Sequence, residues 1–165
     1  MSKVSQTSEV VVGLHRDLAD TVSGLDTEAL HWKADESTWS VAQILAHVAE
    51  FEHFFSEDIL HLKANPGTAF GRTMENVDRI RAVDLDGSES LEELLQRIDV
   101  SQHETLDMLS TLSDDDLLIH GSHPKIGERT IEWEIGHFIT DHLEKHIGQI
   151  RRTLEAYHSQ EIHLN

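Results

Sequence analysis

The fold class is decided by residues 130–157, which read TIEWEIGHFITDHLEKHIGQIRRTLEAY. This stretch contains no proline, and its apolar residues recur every three to four positions, which is the period of an amphipathic helix. At about 100° per residue, one arc collects Ile131, Ile135, Phe138, Ile139, Leu143 and Ile150. The stretch therefore predicts a long helix from Thr130 to about Tyr157 with one face in a core.

Three upstream segments repeat this pattern. The spacing predicts a first amphipathic helix over about 4–24, a second over about 40–63 and a third over about 90–109. The second opens with Ser40 and Gln43, which have the spacing of a capping box. No segment shows a competing strand pattern, so the fold is predicted to be all-α.

The connections define the rest of the architecture. Asn65-Pro66-Gly67 ends the second helix, and the connection that follows is long for a bundle, with one short helix near 74–83. Ser101 is predicted to interrupt the third helix, and Ser113, followed by three aspartates, to cap a short one. We therefore predict a single domain over residues 1–165, a four-helix bundle with a long crossover connection.

Composition excludes several classes of function. The net charge of −18 argues against a nucleic-acid partner and against binding to an anionic membrane surface, because both need clustered Lys and Arg. The chain has no cysteine, so any thiol must arrive with a substrate. No secretion signal or membrane-spanning stretch is recognisable, and we expect a cytoplasmic protein.

Three of the thirteen histidines fall on predicted core faces. His142 and His146 lie in the apolar arc of the fourth helix, and their i, i+4 spacing lets both imidazoles reach one ion. His47 lies in the apolar arc of the second helix, whereas His53 points elsewhere and His137 falls on the opposite side of the fourth helix. Each could be an ordinary core histidine with a hydrogen-bond partner, but one shared cation would satisfy all three.

Two blocks of sequence resemble the DinB-like superfamily, and specifically its YfiT-like branch of metal-dependent hydrolases and thiol transferases. The first block is Trp39-Ser-Val-Ala-Gln-Ile-Leu-Ala-His47, and the second is His123-Pro-Lys-Ile-Gly127 with His142-Leu-Glu-Lys-His146. With the helix order, the similarity covers nearly the whole chain. The resemblance implies a four-helix bundle of unusual topology, often a homodimer, with a divalent metal held by His47, His142 and His146.

The chemistry of such a site leaves alternatives open. Three imidazoles without a thiolate suit zinc or nickel and leave an open coordination position. The preferred hypothesis is transfer of a low-molecular-weight thiol, activated at the metal, to an electrophilic small molecule. The alternatives are metal-dependent hydrolysis of a small substrate, or metal binding without turnover.

No second catalytic group is evident. The helical positions of Asp141, Glu144 and Glu50 turn them away from the three histidines, so solvated surface carboxylates are the expectation. Asp58 points closer to the His47 direction and is a weak candidate for supporting a ligand. Trp39 is expected to pack at the start of the second helix, and the His123-Pro loop to fix the path into the fourth.

Overall fold

A computed structural model describes residues 1–164 and shows a four-helix bundle, as predicted. The helices are α1 (Lys3–Val22), α2 (Thr27–His31), α3 (Val41–Ala64), α4 (Val77–Ala82), α5 (Leu91–Ser110), α6 (Ile131–Glu134) and α7 (His142–Leu164). A 3₁₀ turn covers Asp115–Leu118, and a π-helical segment, Ile135–Asp141, joins α6 to α7. The four long helices of the bundle are α1, α3, α5 and the continuous α6–π–α7 helix.

Local signals fix where these helices begin and end. Ser40 caps α3 in a complete capping box with Gln43, and Ser90 caps α5 in the same way with Glu93. Gly24 follows α1 with a φ of 72°, a left-handed conformation that suits glycine at a helix C-terminus.

The topology is not simple up-and-down. α1 packs mainly against α5 and α7, and α3 packs mainly against the same two helices. The spatial order around the bundle is therefore α1, α5, α3, α7, with the consecutive long helices α1 and α3 on a diagonal. The connection between α3 and α5 is the predicted long crossover, and its short helix is α4.

A small hairpin contradicts the prediction that no strands form. Strands β1 (His120–His123) and β2 (Gly127–Thr130) pair antiparallel, and residues 67–70 hydrogen-bond alongside β1. The strands are only four residues long and carry several polar side chains, so the sequence has no alternation of apolar and polar residues that would predict them. The hairpin leads the chain into α6.

The predicted interruption of α5 at Ser101 is wrong. α5 runs unbroken, and the Ser101 hydroxyl faces inward, where it donates to Glu52 Oε1 at 2.8 Å and lies 3.0 Å from the Ile98 carbonyl oxygen. Short helix α2 lies in a segment where only a loop was expected. The predicted short helix after Ser113 is present as the 3₁₀ turn, and the Ser113 hydroxyl accepts from the Asp116 amide at 3.2 Å.

Two apolar clusters fill the bundle. One is built around Leu18, Leu45 and Ile150, and the other around Phe55 and Met108. On α3, the first cluster ends at Ala49 and the second begins at Phe51, and His47 and Glu52 lie close to this change. Within residues 1–164 no helix is both long and apolar enough to cross a membrane.

Candidate metal centre

The three predicted histidines meet in the structure. His47 projects from α3, and His142 and His146 project from the first two turns of α7. His142 Nε2 lies 3.0 Å from His47 Nε2 and 3.0 Å from His146 Nε2, and one ring nitrogen from each residue lies within 4.8 Å of the others. The i, i+4 spacing on α7 and the packing of α3 against α7 together produce this convergence.

Contacts around the rings hold them in place. His146 Nδ1 lies 2.7 Å from Gln149 Oε1, which can only accept, so Nδ1 carries the proton and Nε2 of the neutral ring is left with a free lone pair. The His142 ring stacks on Phe51 at a centroid distance of 3.6 Å. The Trp39 ring lies 4.8 Å from the His47 ring. Gln149 thus has the position of a residue that orients a metal ligand.

Burial keeps these imidazoles neutral. Loss of solvation, together with the smaller effect of the positive potential of His146, Arg79 and nearby cations, lowers the pKa of His47 to about 3. Burial likewise lowers the pKa of His142 and of His146, although the hydrogen bond to Gln149 partly offsets the effect at His146. Neutral imidazole is the form that binds a metal ion.

The donor set fits a divalent cation. His47 has no oxygen partner, because its Nε2 faces only His142 Nε2 and its Nδ1 is buried without a hydrogen-bond partner. Tetrahedral coordination with bonds of about 2.0–2.1 Å would separate ligand nitrogens by roughly 3.3 Å, close to the two 3.0 Å separations seen here. Three histidines and no fourth protein ligand among residues 1–164 match an open site.

An open cleft of about 770 Å³ gives access to the three histidines. Aromatic side chains form much of its wall, namely Trp39, Phe51, Phe55 and Phe138. This size and lining are typical of sites for small organic ligands.

Three side chains lie at the cleft where the sequence indicated other roles. Trp39 was expected only to pack, yet it also lines the cleft. His123 is buried and lines it from β1, and its ring contacts Gly71 so closely that a Cβ there would lie 2.3 Å from the ring. His137 is exposed as expected, but it lies at the rim rather than on the opposite side, since the wider π-helical turns shift residues off the α-helical angle.

The four carboxylates considered from the sequence divide into two groups. Asp141 and Glu144 are exposed, as expected. Glu50 is not a solvated carboxylate, because it makes two 2.6 Å contacts with the guanidinium group of Arg72, which anchors the crossover connection to α3. Asp58 accepts from the Gly71 amide at 2.9 Å and does not line the cleft, so its candidacy as a support for a metal ligand is not favoured.

Another buried histidine, away from the cleft, was not predicted from the sequence. His15 on α1 contacts Glu52 Oε2 at 2.7 Å, and both side chains are almost fully buried. Glu52 also accepts from Ser101, so the group links α1, α3 and α5. The signal was present in the sequence, because His15 lies four residues after Val11 and three before Leu18 on the apolar face of α1.

Comparison with known proteins gives a family and a fold. The sequence model described as the DinB superfamily matches residues 12–150. The structure of YfiT from Bacillus subtilis, described as a probable metal-dependent hydrolase with an unusual four-helix bundle topology, matches with a TM-score of 0.67 at 19% identity. The match covers 94% of this chain and 90% of that one. The search of curated proteins gave no match.

Proposed function

We propose that this chain, which belongs to the DinB superfamily, binds one divalent metal ion through His47, His142 and His146 and uses it to activate a small nucleophile. The observation that carries the proposal is the convergence of three neutral imidazoles, two buried and one half-buried, at the wall of an open cleft. Three imidazoles with purely structural roles would each be expected to face a hydrogen-bond partner of a different kind, such as a carboxylate or a backbone carbonyl, rather than one another.

The donor set favours zinc or nickel. Neutral imidazoles with no thiolate and no carboxylate suit ions of intermediate softness. When bound with an open position, such an ion lowers the pKa of a thiol or a water molecule enough to supply a nucleophile near neutral pH. The chain itself keeps the imidazoles neutral, orients His146 through Gln149, and opens the remaining position toward the cleft.

Transfer of a low-molecular-weight thiol to an electrophile is the reaction we favour. No Asp or Glu among the described residues lines the cleft, so no carboxylate is at hand to accept a proton. An ordinary thiol, with a pKa of about 8.5, needs far less assistance to ionise than water does. The chain has no cysteine, and the thiol must therefore be a co-substrate.

Hydrolysis of a small substrate is the second candidate. It is supported by the shared fold with YfiT, which is described as a probable metal-dependent hydrolase. In this case the histidines of the cleft, rather than a carboxylate, would have to handle protons, and His123 and His137 both line it.

An assay of the zinc- and nickel-loaded protein separates the candidates. We would incubate it with a chlorodinitrobenzene electrophile and a panel of small thiols, and in parallel with ester and amide substrates without thiol. Thiol transfer predicts conjugate formation that needs both metal and thiol and is lost in His142→Ala but kept in His158→Ala, an exposed histidine of the same helix that does not line the cleft. Turnover without thiol would favour hydrolysis. If neither arm showed metal-dependent turnover, both reactions would be excluded for these substrates, and only the metal-binding part of the proposal would stand.

A further inference from the structure

The cleft at the three histidines has a charge opposite to that of the protein. The chain carries 31 acidic and 13 Lys or Arg residues, yet five of the 13 line the cleft and none of the 31 does, within the described residues. At the overall proportion of acidic residues, a lining of 20 residues would contain about four. The positive lining is therefore not a reflection of composition.

Most of this positive charge is uncompensated. Arg72 is paired with Glu50, but Arg79, Lys125, Lys145 and Arg152 have no carboxylate within 4 Å in the part of the chain described. Of the eight Lys and Arg residues outside the cleft, three form such pairs and five do not within the described residues. Four cations around one opening, in a protein of net charge −18, concentrate anions locally.

The field of these cations reaches the histidines. Arg79 and Lys145 contribute to the lowered pKa of His47, His142 and His146, after the larger effect of burial. Three neutral imidazoles bring no negative charge of their own, and a divalent ion held by them would face only cationic and neutral side chains in the described lining of the cleft. The lining supplies no negative charge to balance these cations, and an anionic group on the ligand would supply it.

We infer that the cleft binds an organic anion, a molecule with a carboxylate, phosphate or sulfonate group at the cationic rim and an apolar part against the aromatic wall. Lys145 and Arg152 lie about two helical turns apart on α7, and Arg79 is on α4 across the opening. Trp39, Phe51 and Phe138 supply the apolar surface beside the histidines. This inference rests on the proposed function in treating the cleft as the substrate site.

The test compares two probes that differ only in charge, 4-phenylbutyrate and 4-phenylbutanamide. Binding would be measured by titration calorimetry on metal-free protein, where the carboxylate has no ion to coordinate, and again on zinc-loaded protein. Arg79→Gln and Lys145→Gln remove cleft cations, while Arg81→Gln is a matched control on the same helix as Arg79 and does not line this cleft.

We expect the carboxylate to bind roughly tenfold or more tightly than the amide, with the difference shrinking as salt approaches about 0.3 M. Arg79→Gln and Lys145→Gln should each weaken carboxylate binding about three- to tenfold and leave the amide unaffected, and Arg81→Gln should change neither. Equal binding of the two probes, or an equal loss in Arg81→Gln, would overturn the inference.

The outcome is independent of the metal. If the protein takes up no metal but prefers the carboxylate with the expected variant effects, the proposed function fails and the anion site stands. If it takes up metal at the histidines but shows no preference for the carboxylate, the anion site fails and the proposed function stands.

Discussion

Two groups of buried histidine side chains in this bundle satisfy their polarity in different ways. Nε2 of His15 contacts Glu52, which also accepts from Ser101, while Nδ1 of His15 is buried without a hydrogen-bond partner. His47, His142 and His146 face one another and have no carboxylate partner in the described chain. The first group, called the closed group below, has its histidine and carboxylate facing each other inside the bundle. The second group lines an open cleft and is the proposed metal centre.

The comparison shows why burial alone does not identify a functional histidine. His15 and His47 are both almost inaccessible to solvent. They differ in the group that faces Nε2, which is a carboxylate for His15 and another imidazole for His47, whereas Nδ1 of each ring is buried without a hydrogen-bond partner. Replacing members of each group should therefore affect different properties of the protein.

The largest effect on stability is expected at the closed group. His15→Ala leaves the Glu52 carboxylate buried without its partner, which should lower the free energy of unfolding by about 3–5 kcal/mol. Denaturant unfolding of metal-free protein would measure it, with His103→Ala, an exposed histidine on α5, as the control. A loss below about 1 kcal/mol, with metal content also reduced, would contradict the division between the two groups.

A buried acid that lies beside a second acid provides a further test. Glu134 is fully buried, and burial raises its pKa to about 10, with the neighbouring Asp58 carboxylate adding to the effect. Above its ordinary pKa the unfolded chain releases this proton and the folded protein keeps it. This group therefore costs stability increasingly as pH rises from about 4.5 toward 10.

Glu134→Gln should remove that cost. The free energy of unfolding should rise by an amount on the order of 2 kcal/mol at pH 8 and change little at pH 4, because each tenfold difference in proton affinity between the folded and unfolded chain corresponds to about 1.4 kcal/mol. Unfolding curves of both proteins at the two pH values would show the difference. A gain of equal size at both values would mean that Glu134 is ionised in the folded protein.

The smallest effect is expected at the residue that orients His146. Gln149→Ala removes the acceptor of the His146 Nδ1 proton and should weaken metal binding about tenfold without lowering stability appreciably. Competition with a chromogenic chelator would measure the affinity, with Gln96→Ala on the exposed face of α5 as control. A metal affinity equal to that of the unchanged protein would show that Gln149 does not support metal binding.

Most of the fold could be predicted because its signals are local. Apolar spacing located the four long helices, and the same spacing placed His47, His142 and His146 on buried faces. Ser40 and Gln43, a capping box only four residues long, predicted the start of α3.

The missing parts depend on contacts between residues distant in sequence. The Glu50–Arg72 pair spans 22 residues, and the His15–Glu52 pair spans 37. The hairpin is held partly by residues 67–70, which follow α3 in the chain. The positive cleft draws on α4, the β1–β2 turn and α7, so no stretch of sequence shows a basic cluster.

Metal content tests the central claim most directly. Protein purified without a histidine tag would be loaded with zinc or nickel, dialysed and analysed by elemental mass spectrometry, alongside His47→Ala, His142→Ala and the control His53→Ala, an exposed histidine on α3. The account predicts about one ion per chain in the unchanged protein and in His53→Ala, and close to none in the other two variants. Equal metal content in all four proteins would contradict it.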